Sequence, residues 1–167
     1  MIIQISTGIG KGPTELSAFD AALNAAGVAN FNLIRLSSVI PPKTKIITYK
    51  GKIDDVQGKW GDRLYVVMAD KRVDTPNTEA WAGVGWIYDK TTNLGMFAEH
   101  TGSSEATVRL NIKQSLEAFA SIRKNELVSY KMNMAVTGLM CTKEPVCALA
   151  VAAYSSSGWQ SKLKFVK

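Results

Sequence analysis

Two stretches, Trp81–Tyr88 and Val146–Ala153, are apolar at odd and even positions alike, and they constrain the chain most. Successive side chains of a β-strand point to opposite faces, so a strand with no polar face has to be covered on both sides. One sheet backed by one layer of helices leaves a face wet. Sheets in the middle of a layered sandwich do not, and four layers meet the requirement better than two.

Two segments are marked as the helical covers. Thr14 can cap a helix that ends at Gly27, with Leu16, Phe19, Leu23 and Ala26 at helical spacing on one face. A second helix opens at Ser103 or Ser104 and aligns Val108, Ile112, Leu116, Phe119 and Ile122. Further strands are expected at Ile2–Ser6, Phe31–Leu36, Ile46–Tyr49, Leu64–Ala69, Leu94–Glu99 and Leu127–Val136. The glycine-rich Gly8–Thr14 reads as a loop, and Pro41-Pro42 stops the strand before it. The expected fold class is α/β (α+β), a single domain over residues 1–167 built as a four-layer αββα sandwich.

With 167 residues, 46% of them hydrophobic and 20% charged, the chain can bury one sizeable core without staples. The longest apolar run, Val146–Tyr154, is far below the roughly 20 residues a spanning helix needs. No membrane partner, secretory leader or disulfide framework is expected, and a cytoplasmic location with reduced Cys141 and Cys147 is. The formal charge of +6 is scattered over a loose cluster at Lys43, Lys45, Lys50 and Lys52 and a tail at Lys162, Lys164 and Lys167. Neither adjoins an aromatic platform, so a solvated surface is expected rather than a nucleic-acid partner.

Several chemistries drop out. His100 is the single histidine, so no multi-histidine zinc site can form; the serine-hydrolase elbow is absent, and Gly8–Thr14 lacks the phosphate-loop frame, which leaves a phosphate cradle there only weakly signalled. Asp20 falls between Leu16 and Leu23 on the helical projection, where a carboxylate needs a cationic or donor partner. The open readings are an internal ion pair, with Arg35 for instance, a stripe edge that reaches water, and a pocket carboxylate awaiting a cationic ligand. Glu99 ends an apolar strand beside His100, a place for a tuned acid or for an ordinary surface charge. Ser37-Ser38 sits between a strand and Val-Ile-Pro-Pro. If that peptide is strained, the Ser38 hydroxyl can attack the carbonyl before it, turning amide to ester; β-elimination and hydrolysis then leave a pyruvoyl group.

Asn32-Leu-Ile-Arg-Leu-Ser-Ser-Val-Ile-Pro-Pro42, with Leu16–Gly27 before it and Gly95-Met-Phe-Ala-Glu99 after it, resembles the pyruvoyl-dependent arginine decarboxylases. The resemblance implies a self-processing enzyme that converts L-arginine to agmatine and CO2 through a Schiff base. It implies a β-chain of 1–37, an α-chain of 38–167 and a covalent pyruvoyl cofactor derived from Ser38, with no pyridoxal phosphate and no metal. Ser38, Glu99 and Asn32 take catalytic roles, Ser37 and Ser38 form the cleavage site, and Asp20 and Ser37 bind substrate. It also implies a homo-oligomer, a trimer or paired trimers, with active sites between subunits. His100-Thr101-Gly102 and the basic segment 43–60 depart from the family pattern. Decarboxylation of another basic amino acid, an uncleaved interaction subunit and a basic nucleic-acid-binding module are the competing readings.

Overall fold

A computed structural model describes residues 1–159; the basic tail Lys162, Lys164 and Lys167 lies outside the described residues. The described residues form a mixed α/β domain with two sheets and two helices. Its elements run β1 (Ile2–Lys11), α1 (Glu15–Ala26), β2 (Asn32–Arg35), β3 (Val39–Ile40), β4 (Lys45–Thr48), β5 (Arg63–Val73), β6 (Glu79–Asp89), β7 (Leu94–Gly102), α2 (Glu105–Ile122), β8 (Tyr130–Met140) and β9 (Val146–Ser157). One sheet has the order β2-β5-β9-β1-β4, the other β3-β7-β6-β8.

The two-sided apolar strands are covered as their sequence demands. Ile3, Ile5, Val67, Ala150 and Ala152 of the first sheet meet Ile40, Val84, Trp86 and Phe97 of the second in one buried cluster. On the outer face of the first sheet, α1 packs Ala18, Ala22, Leu23 and Ala26 against Val66, Met68, Leu149 and Val151. On the second, α2 buries Val108, Ile112, Leu116 and Ala120 with Ile87 and Ala98. Phe97 is fully buried between the sheets, and a core aromatic of that kind is worth roughly 3–5 kcal/mol.

Both helices begin where the capping residues placed them. The Thr14 and Ser17 side chains each satisfy the other's backbone N–H in a capping box, and Gly27 closes α1 at φ 89°. Ser104 caps α2, its hydroxyl accepting from Thr107 N–H at 3.2 Å.

The glycine-rich stretch differs from the expected loop: β1 runs straight through it to Lys11. A Cβ at Gly8 would stand 2.1 Å from the Ala22 carbonyl oxygen, and one at Gly10 2.2 Å from that of Ala18. The glycines therefore let the backbones of α1 and β1 approach, and the helix presents alanines to them. This rotates α1 away from the expected face. Leu16 is 69% exposed, Phe19 is half-buried, and Asp20 is exposed on the outer side rather than on the core stripe. Ile122 of α2 is likewise exposed, Ala120 taking the core position instead.

Asp89, at the end of β6, is fully buried and accepts N–H bonds from Ser129 (2.5 Å), Thr91 (2.8 Å) and Thr92 (3.2 Å). The Ser129 amide first, then those of Thr91 and Thr92, hold its carboxyl below the usual range against the opposing effect of burial. A lowered folded-state pKa stabilises above the unfolded value of about 3.9 and is lost as pH falls through the folded one. Asp89→Asn aims an amide donor at one of these N–H groups. We expect a lower Tm at neutral pH, with the gap to wild type narrowing below pH ~4; a constant gap across a pH series of melts would contradict this.

Candidate active site

The segment after β2 changes sheets within two residues. Leu36 N–H donates to Val66 O of β5 at 2.8 Å, the last backbone bond to the first sheet. Ser38 O then accepts from Phe97 N–H of β7 at 2.7 Å, and Val39–Ile40 continue as β3 on that strand. The sequence reading ended the strand at the prolines and missed β3, which is only two residues long. Ser37–Ser38 is thus the crossing between the sheets.

Three features meet there. The Ser38 Oγ donates to Glu99, 2.8 Å from Oε2 and 3.0 Å from Oε1. Val39 N–H donates to Ser37 O at 2.8 Å, closing a three-residue turn around Ser38. Tyr154, at the end of the longest apolar run, donates its hydroxyl to Val39 O at 3.0 Å. Neither serine takes a left-handed φ. The peptide is set apart by being anchored to a different sheet on each side.

Glu99 and Ser38 come from β7 and from the sheet crossing, far apart in sequence and adjacent in space because β3 pairs with β7. Glu99 is exposed in the single chain and lines a cavity of about 380 Å³ with Arg35, Met68, Ala69, Asp70, His100 and Thr101. His100 turns to the other layer, its Nε2 lying 2.7 Å from Ser115 Oγ on α2.

Asn32 and Asp20 have no bond to this centre among the described residues. Asn32 opens β2, six residues before Ser38, and its side-chain amide donates to Gly61 O at 2.6 Å. Asp20 does not pair with Arg35, contrary to the internal pair considered above: Arg35 bonds Asp70 at 2.5 Å. Asp70 is also met by Arg72 at 3.2 Å, whose guanidinium lies 3.8 Å above the Phe19 ring. Asp20 itself has no hydrogen bond or ion pair among the described residues. Ser37 is exposed.

Cys141 and Cys147 are buried and unbridged, as expected. Burial first, then the Asp70 charge, pushes the Cys147 thiol up to about 12, which keeps it a poor nucleophile. Among the described residues no group of three His, Cys, Asp or Glu could hold a metal, and no helix is long and apolar enough to cross a membrane.

What sets this α/β fold apart is a serine hydroxyl held by a carboxylate where the chain crosses between its two sheets. The sequence model of the pyruvoyl-dependent arginine decarboxylases matches residues 2–158, and the chain belongs to that family. Among similar proteins, pyruvoyl-dependent arginine decarboxylase 2 of Archaeoglobus fulgidus is 27% identical over 150 residues, 89% of this chain and 92% of that protein. The pyruvoyl-dependent arginine decarboxylase of Halobacterium salinarum is 43% identical over 84 residues, 50% of this chain and 51% of its own. That of Thermoplasma volcanium is 31% identical over 104 residues, 62% of this chain and 56% of its own. The match thus spans about half the length of the last two relatives.

Proposed function

We propose that the chain is a four-layer αββα decarboxylase that cuts itself between Ser37 and Ser38 and converts L-arginine to agmatine and CO2. The observation that carries this is the Ser38 hydroxyl held on both oxygens of Glu99 at the bond to be cut. Oγ, oriented by its hydrogen bond to Glu99, attacks the Ser37 carbonyl carbon as its proton leaves. The oxygen on which negative charge then gathers already accepts the Val39 N–H, a preorganised donor. The C–N bond breaks, the proton passes to the Ser38 nitrogen, and an ester joins the pieces. Loss of the Ser38 α-proton with departure of the Ser37 carboxylate leaves dehydroalanine, and water releases ammonia and leaves a ketone.

The residues present fit such a group. Residue 38 keeps its bond from Phe97 N–H, on the amide oxygen adjoining the ketone, and Glu99 stays beside it as proton donor. A pyruvoyl group supplies Schiff-base chemistry with the substrate α-amine and takes up the electron pair that CO2 leaves. Glu99 then returns a proton to the substrate carbon.

Asp20 is the carboxylate we assign to the substrate guanidinium, which pairs with it bidentately better than an ammonium does. Neither Asp20 nor Asn32 bonds Ser38 or Glu99 among the described residues, while Ile9, Leu16, Ile34 and Val39 are exposed apolar side chains. Both facts support an assembly of trimers, single or paired, in which a neighbouring copy brings them to the Ser38–Glu99 centre. Asp20→Asn is expected to raise the KM for arginine about tenfold or more and leave kcat within severalfold, since a charge-assisted pair is worth roughly 1.5–3 kcal/mol. An unchanged KM returns Asp20 to a surface residue.

The deciding measurement is mass spectrometry of the purified protein after incubation, with and without arginine and borohydride. Fragments 1–37 and 38–167, the latter lacking an amine at its N-terminus and trapping one arginine-derived adduct, support the reading. An intact chain with no adduct overturns it and leaves an uncleaved interaction subunit.

A further inference from the structure

Resting on the cleavage proposed above, we propose that Tyr154 is the positioning residue that keeps the freshly cut end of the α-chain docked beside Glu99. Before cleavage, residue 38 is tethered on both sides, through Leu36 to β5 and through β3 to β7. After cleavage only the downstream side remains. That side rests on a two-residue strand followed at once by Pro41 and Pro42, which contribute no N–H donors. Few bonds hold it: Phe97 N–H to the residue 38 oxygen, the short pairing of β3 with β7, and the Tyr154 hydroxyl to Val39 O.

The tyrosine is built for this task. It is only 9% exposed, and its ring meets Phe97 edge-on at a centroid distance of 6.1 Å, so one packed pair fixes two of those bonds. Burial, and second the Glu99 charge, push its hydroxyl above the ordinary phenol range, which keeps it protonated and donating. Its bond is redundant in the uncut chain and decisive in the cut one. Loss of the hydroxyl alone should therefore act after scission.

Tyr154→Phe keeps the ring and removes the donor. On a denaturing gel we expect this variant to cleave within about twofold of wild type. In cut protein, exchange of the Ile40 amide should rise about tenfold, the scale of one net hydrogen bond. The Ser38→Ala chain with and without Tyr154→Phe should differ by less than about twofold, because an intact backbone holds the segment from both sides. For arginine turnover, kcat should fall about tenfold with KM within twofold, the pattern of a mispositioned reacting group rather than of lost binding.

Equal Ile40 exchange in cut wild type and cut Tyr154→Phe overturns the proposal, as does an equal rise in the uncut pair, which makes the hydroxyl an ordinary structural bond. Wild type supplies a second measurement should the variant not fold. Its Ile40 amide should exchange at similar rates in the cut chain and in Ser38→Ala, and exchange at an unstructured rate after cutting also overturns the anchor. A wild-type chain that never cuts removes the reading beneath together with this one, whereas a cut Tyr154→Phe chain that exchanges like cut wild type removes this one alone.

Discussion

Ser38→Ala should accumulate as a single 18.1 kDa chain and show no arginine decarboxylation above background. The loss is total because one atom has two uses. Without Oγ no nucleophile lies next to the Ser37 carbonyl, and without scission no ketone forms at residue 38. The substitution itself should be mild for the fold: Ser38 is half-buried, and its backbone bond from Phe97 N–H does not depend on the side chain. A single cooperative melting transition, together with one band after long incubation, is the expected pair of results. Two bands from this variant would move the reactive position elsewhere.

Glu99→Gln should separate the two stages. The amide oxygen can still accept from Ser38 Oγ and orient it, so cleavage should go to completion at a rate reduced about tenfold or less. The amide cannot deliver a proton to the substrate carbon. General acid catalysis is worth roughly 10²–10⁴, and kcat should fall by that factor with KM little changed. Full turnover by this variant would take Glu99 out of the mechanism. Complete failure to cut would instead make the carboxylate indispensable as the base of the first stage.

Much of the layered arrangement could be read in the residues because burial is written into alternation. Val146–Ala153 has no polar face, and a chain that hides such a strand has to put material on both sides of it. The rotation of α1 was not legible. An α-helical projection treats side chains as equal in reach, whereas Gly8 and Gly10 bring this helix so near that only alanines fit beneath it. Asp20 was misplaced for that reason. Of the site, Ser38 and Glu99 were legible as a pair through the family resemblance, and β3 pairing with β7 supplies the physical cause of their meeting. The Phe97 amide and the Tyr154 hydroxyl were hidden. A backbone donor leaves no mark in a sequence, and a tyrosine closing an apolar run looks like core until its partner is known.

The placement of β1 has a consequence for the order of events in this protein's life. β1 is an interior strand, paired with β9 on one side and β4 on the other, while α1 packs outside it and β2 lies along β5. All of these upstream elements precede residue 38, and the strands they pair with follow it. A nick at that point would convert one polypeptide into an interlocked heterodimer. Once denatured, its halves would diffuse apart, and their reunion would become a second-order process that slows with dilution. The molecule would then have a single opportunity to assemble efficiently, as a continuous chain, and its melting temperature would depend more steeply on concentration after maturation.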